Sequence, residues 1–327
     1  MPAPLTERVL ARLPGPQVGW FLAWGLLPFA AYEIAYHAWQ LPTYSGLASQ
    51  LVILFGNVFG LWAAGHLGRR AGQLQPTLER LLTADDLLPR HHPFRHVGSL
   101  IGPLAITALF VLSYDVLNFI DFPGFATGFV VVTVFIGLLP VATFVWVYAA
   151  ALFGLDRIGR RALRLEPFWT DPNLGLKPLG SLAFEGFLLS VVIVAPVFVW
   201  AITDIKGLIS TVVLVAIVSA LFFLSAYTMH RQMVRAKGVQ IRWARDLLEA
   251  AIGPIQSASS ASLDGASIAQ ALHGQAAGLA AATEIERRAL SIQEWPFDTA
   301  IIRTVAAILT SVTAVIIARL LLSQLGM

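Results

Sequence analysis

The feature that most constrains this chain is a series of seven apolar stretches, each about as long as a bilayer is thick. They lie near residues 18–37, 46–66, 99–119, 126–152, 184–204, 207–228 and 300–323. A hydrocarbon core of about 30 Å takes about 20 apolar residues as a helix. Inside it only helices and closed barrels satisfy their own backbone groups, and barrel strands need only about 10 residues. The expected fold class is therefore all-α, a polytopic membrane bundle of about seven spans arranged as three hairpins plus a final helix. Composition agrees: of 327 residues 57% are hydrophobic and 13% charged, about half the charged share that covers a soluble domain. The first stretch contains Pro28 and Glu33 and is followed by no clean small-x-small site, so it reads as a retained span and not as a leader peptide.

Lysine and arginine set the orientation, because they favour the cytoplasmic side. Arg8 and Arg12 precede span one, and Arg69, Arg70, Arg80, Arg90 and Arg95 lie between spans two and three. Arg157, Arg160, Arg161, Arg164 and Lys177 lie between spans four and five, and seven more cations lie between spans six and seven. The opposite loops hold only Lys206. The expected topology has the N-terminus in the cytoplasm and the C-terminus outside, with Arg303 and Arg319 leaving span seven open to a buried or re-entrant reading. Trp62, Trp146 and Tyr148 are expected at the inner interface. Absent cysteine and absent glycosylation acceptors fit a prokaryotic plasma (inner) membrane.

Three segments follow from this reading: a six-span region over 1–228, a cytosolic helical hairpin over 229–299, and a C-terminal transmembrane helix over 300–327. Span six is expected to continue as a helix to about residue 252, turn at Gly253-Pro254 and the Ser/Ala-rich 257–262, and return as a helix over about 264–294. Pro296 then stops the second arm. Within the six-span region Gly68-Arg69-Arg70-Ala71 matches Gly159-Arg160-Arg161-Ala162, and Gly98-Ser99-Leu100 matches Gly180-Ser181-Leu182. These matches read as a repeated two-span hairpin, or else as a common stop-transfer pattern. Residues 73–88 put Leu74, Leu78, Leu81, Leu82 and Leu88 on one side, which suits a helix lying in the inner interface.

Little in the chain carries covalent chemistry. Absent cysteine removes disulfides, thiolate metal sites and thiol catalysis. No phosphate-cradling loop, zinc-protease helix or nucleophile elbow occurs, so no enzyme activity, cofactor or metal is expected. The net charge of +3 marks one membrane face and gives no reason to expect nucleic acid. The acids inside the spans are the sharper signal, since a charge in hydrocarbon costs a few kcal/mol and normally meets a partner or a watery cavity. Glu33 in span one and Asp115 in span three lie at similar depth, with Asn57, Asn118 and Asp204 as further polar groups and Arg319 as an ion-pair partner. His91, His92 and His96, with Arg69, Arg70, Arg160 and Arg161, form a basic juxtamembrane set that suits anionic lipid headgroups or a regulatory site. Two functions compete. One is a channel or secondary transporter for a cation or small solute, with Glu33 and Asp115 in its outer pathway. The other is a non-conducting sensor or accessory subunit that docks a partner, or a second copy, through residues 229–295.

Overall fold

The computed structural model describes residues 4–14, 17–39, 46–119, 124–201, 205–261 and 265–324, and the described residues contain helices and turns but no strand. The helices are α1 (Leu5–Leu10), α2 (Gln17–Trp39), α3 (Gly46–Gln73), α4 (Gln75–Leu81), α5 (Ile101–Phe119), α6 (Gly124–Gly159), α7 (Lys177–Ala201), α8 (Ile205–Ala261), α9 (Gly265–Leu290) and α10 (Thr299–Gln324). Each apolar stretch coincides with a helix over nearly all of its described residues. Three helical stretches are long and apolar enough to cross a membrane: Val131–Gly159, Lys177–Pro196 and Val212–Gly253. Gly19–Ala31, Ile101–Leu112 and Thr299–Val315 are apolar but shorter. A full count of seven spans is more than these lengths and hydropathies carry; α3, for instance, includes Asn57, His66 and several glycines.

α6 is the hub, packed by α2, α3, α5 and α8, while α7 lies against α3 and α8. The Gly56-x-x-x-Gly60 pattern of α3 serves the α6 contact. A Cβ on Gly60 would stand 3.3 Å from the backbone of Val141, a tight contact that glycine avoids, so the two helices approach closely without displacement. α10 is anchored near its start, where Val305 is buried and Ile301, Ile308 and Leu309 pack partly on the core.

The largest part of the core sits where the basic loops gather, called here the basic end. Leu74, Leu78, Leu81 and Leu82 are buried there with Phe94, Leu155, Phe168, Leu176 and Met233. This corrects the expectation for 73–88. That segment forms only α4 and a short 3-10 turn at Asp85–Leu87, and its leucines face protein. Leu88 alone is exposed. Trp146 and Tyr148 also turn inward. Trp146 donates through Nε1 to the His96 carbonyl (2.9 Å) and Tyr148 is buried, whereas Trp62 remains exposed and stacks on His66. The loops fold over the leucine stripe and Trp146 and supply the partner surface that lipid was expected to provide, while Tyr148 is covered by α7 at Gly186.

Residues 160–176 contain no helix, as Pro167, Pro172 and Gly175 require. Asp171 caps the tight turn there by accepting from the backbone N–H of Asn173 (2.9 Å) and Gly175 (2.8 Å), while Leu174 and Gly175 take positive φ. The long hairpin is present, with α9 packed on α8. Its turn is displaced: α8 runs through Gly253-Pro254 to Ala261. A proline inside a helix costs about 3 kcal/mol, which is small beside the packing available to a long amphipathic pair. The Gly-Arg-Arg copies differ structurally, since α3 continues through Arg69 and Arg70 while α6 stops at Gly159. Likewise Gly98-Ser99-Leu100 precedes α5, whereas 180–182 lie inside α7.

Candidate functional site

The polar residues expected to form a pathway are only partly within view. Asp204 lies outside the described residues, as do the side chains of Asp115, Asn118 and Arg319. Glu33 is half-buried on α2 with its carboxylate 4.0 Å from His37 Nε2, one turn further along the same helix. Asn57 is buried on α3. Glu33 and Asp115 stand on α2 and α5, two helices that each pack on α6.

Around Asn57 the structure builds a polar crossing of α2, α3 and α6. Pro140 lacks an N–H, so the carbonyl of Ile136, four residues earlier, loses its helical donor. Trp24 of α2 supplies the replacement, with Nε1 3.0 Å from that oxygen. Beside this bond Gly137 leaves room for Pro28 and the Asn57 amide. The Asn57 Oδ1 is buried and has no hydrogen-bond partner among the described residues.

At the basic end, ion pairs and hydrogen bonds tie the loops to the helices. Glu185 of α7 accepts from Arg70 Nε (2.8 Å) and Nη2 (2.5 Å), and His66 Nε2 lies 3.4 Å away. Arg161 reaches Asp86 (3.2 Å), the Asp86 carbonyl (3.0 Å) and the His91 carbonyl (2.7 Å). Arg69 pairs with Glu7, and Arg160 pairs with Asp156 one turn back (2.8 Å). The four arginines assigned to lipid headgroups therefore each have a protein partner. Glu185, central to this network, was not singled out from sequence. The signal available is an acid in the third turn of an apolar helix, with arginines at the matching end of another.

The histidines diverge instead of converging. His91 Nδ1 lies 3.3 Å from the Asp85 carbonyl, His92 Nε2 lies 3.2 Å from Gln75 Oε1, and His96 Nε2 accepts from Arg95 Nε (2.9 Å). Burial pushes His92 below its ordinary range, helped by Arg161, and burial with Arg95 and Arg157 does the same to His96. The Phe94 N–H donates to His92 Nδ1 (3.2 Å), a bond that requires this nitrogen unprotonated. Among the described residues no cluster of three or more acids and histidines is arranged to hold a metal. Hydrogen bonds from Thr83 hold Asp86 below the usual carboxylate range, and Arg161 adds to this.

The remaining site is the joint between α8, α9 and α10. Trp295-Pro296-Phe297-Asp298 folds against the starts of α7 and α10. Phe297 stacks on Phe222 (5.2 Å between ring centres), Trp295 stacks on His230 (4.2 Å), and His230 Nδ1 lies 2.7 Å from the Glu294 carbonyl. Lys177–Asp298 (2.9 Å) and Lys237–Glu294 (3.1 Å) close both sides. Gly180 admits the loop, since a Cβ there would lie 2.7 Å from the Pro296 carbonyl carbon and closer to its oxygen. Beyond the joint, α8 exposes Val239, Trp243 and Leu247 at four-residue intervals, with Arg231, Arg235 and Arg242 exposed alongside. Among the described residues these three arginines form no ion pair, although Arg245 and Glu286 lie 3.7 Å apart between α8 and α9. No protein-family model matches this chain, and neither a curated protein nor a solved structure matches it significantly.

Proposed function

We propose that the protein is a non-conducting membrane subunit whose basic end faces the cytoplasm and docks a partner on the exposed face of α8. The observation that carries this reading is the continuity of α8. Its 57 residues rise about 85 Å, far more than the about 30 Å of a hydrocarbon core. The same helix thus belongs to the bundle at one end and to the exposed arm at the other. The joint at 295–298 braces it, so a tilt within the bundle is passed to the arm as a rigid displacement. The arm offers a tryptophan and two aliphatic side chains rimmed by unpaired arginines. That chemistry fits a partner with an acidic surface and an apolar cleft, since aromatic anchors and complementary charge dominate such contacts.

The test places a photo-crosslinking amino acid at Trp243 or Val239 in native membranes, with exposed Leu290 as the control position. One adduct of defined mass is expected from 239 and 243, none from 290, and its loss when Arg231, Arg235 and Arg242 become glutamate. No adduct at 239 or 243, or equal adducts at 290, defeats the reading.

A second reading is transport, favoured by the partnerless Oδ1 of Asn57 between two proline-containing helices. Solute or cation flux into liposomes that is lost in Asn57→Leu would establish it and displace the first.

A further inference from the structure

A groove runs between α1, α2 and α6, with a cavity volume of about 420 Å³ and walls that include Leu10, Leu13, Trp20, Leu27, Pro28 and Ile136. Two features mark it as built. Trp20 donates through Nε1 to the Pro14 carbonyl (2.7 Å), and Trp24, also in the wall, donates to the Ile136 carbonyl (3.0 Å). Each indole has its one polar atom engaged by backbone, so its ring is fixed and serves as an apolar surface. α1 is held from the other side by Glu7 on Arg69 and by Arg8 on the Gly98 carbonyl. The groove therefore stands open without an induced change.

Its length and its ends identify the occupant. Along α2 the wall extends from Trp20 to Ala31, eleven residues or about 16 Å of rise. That is close to half the about 30 Å of a hydrocarbon core, which is the depth of one leaflet. At the deep end stands Thr133, buried. At the basic end Arg12 is exposed in the turn between the lining residues Leu10 and Leu13. We infer that this groove binds one acyl chain of an anionic phospholipid from the leaflet at the basic end, with Arg12 on the phosphate. Spread over that length the volume averages about 26 Å² in cross-section, narrower than a partner-protein helix, which with side chains measures about 10–12 Å across. The inference is independent of partner docking on α8.

The experiment reconstitutes the full chain in phosphatidylcholine vesicles doped with phosphatidylglycerol that carries a photoactivatable acyl chain. Adducts are mapped by mass spectrometry. They are expected to concentrate on residues 10–31 and 133–136, and to exceed those from the equivalent phosphatidylcholine probe. Ala23→Trp, which fills the groove, should lower labelling there about tenfold, the effect of displacing roughly two buried methylenes. Ala31→Leu provides the same test should the larger side chain disturb folding, which thermal melting reports. Arg12→Glu should remove the preference for phosphatidylglycerol. Labelling spread evenly over exposed apolar positions such as Ile101 and Leu109, or unaffected by groove filling in a folded variant, overturns the inference. Equal labelling by both probes in the wild type overturns the role of Arg12 and the choice of an anionic lipid.

Discussion

Gly180→Ala tests the joint between bundle and hairpin, because the two effects of the change oppose each other. Gly180 is the fourth residue of α7, and alanine in a helix is favoured over glycine by up to about 1 kcal/mol. Against that, the new Cβ would lie 2.7 Å from the Pro296 carbonyl carbon, with 3.4 Å the start of ordinary contact. The loop must retreat by at least about 0.7 Å, and further for the carbonyl oxygen. Neither side is a flexible side-chain tip: one is helix backbone and the other is the backbone of a loop pinned by the buried Phe297. Overpacking costs about 1–3 kcal/mol, and with backbone on both sides the upper part of that range, about 2–3 kcal/mol, applies, so the steric effect wins by about 1–2 kcal/mol. For a chain of 327 residues, unfolding with about 2.1 cal/mol/K per residue, that lowers the melting temperature by roughly 1.5–3 °C. Gly274→Ala on α9 is the matched control. A Cβ there meets nothing within 4 Å, so only the propensity gain remains and stability should rise. Thermal melting followed by tryptophan fluorescence reads both variants, and tryptic cleavage after the exposed Arg287 and Arg288 reports loosening of the loop. Gly180→Ala melting at or above wild type, with unchanged cleavage, would show that the loop is not held against α7 as described.

Trp24→Phe should destabilise by about 1 kcal/mol, the usual net worth of a hydrogen bond, because Pro140 already deprives the Ile136 carbonyl of its helical donor; an unchanged melting temperature contradicts that assignment. Asn57→Leu should be neutral or stabilising, because a partnerless buried polar atom is removed at nearly constant volume. A loss beyond about 1 kcal/mol would mean that an unseen donor holds the amide. Arg161→Lys keeps the charge but loses the fork that spans Asp86 and the His91 carbonyl, so it should cost about 1–3 kcal/mol by chemical denaturation; full retention of stability would show the fork to be dispensable. Folding lowers the His92 pKa, so the unfolded chain takes up a proton from about pH 6.5 downward that the folded chain resists. Stability should therefore fall as pH drops from about 6.5 toward the folded value, and a melting series over pH 5–8 should be flatter in His92→Gln. A steeper or identical slope in the variant refutes this.

The all-helical fold, the membrane-length helices and the long hairpin follow from local sequence. Apolar runs of about 20 residues need internally bonded backbone in hydrocarbon, and the spacing of Leu279, Ala282, Ile285 and Ala289 on α9 needs no distant partner to specify a helix. Pro167, Pro172 and Gly175 likewise keep 160–176 out of helix by local sterics alone. The site residues are another matter. Which arginine meets which acid is fixed by the crossing of α3 and α7 and by the path of the second loop, so Arg70 with Glu185 and Arg161 with Asp86 are pairs 115 and 75 residues apart in sequence. The Leu74–Leu82 stripe shows the limit most clearly. Its periodicity states that one side is apolar, but lipid and protein interior are equally apolar to a leucine. Only the folding of 160–176 over that stripe, held by the Arg164 N–H on the Leu81 carbonyl and by Arg80 on Glu166, decides between them.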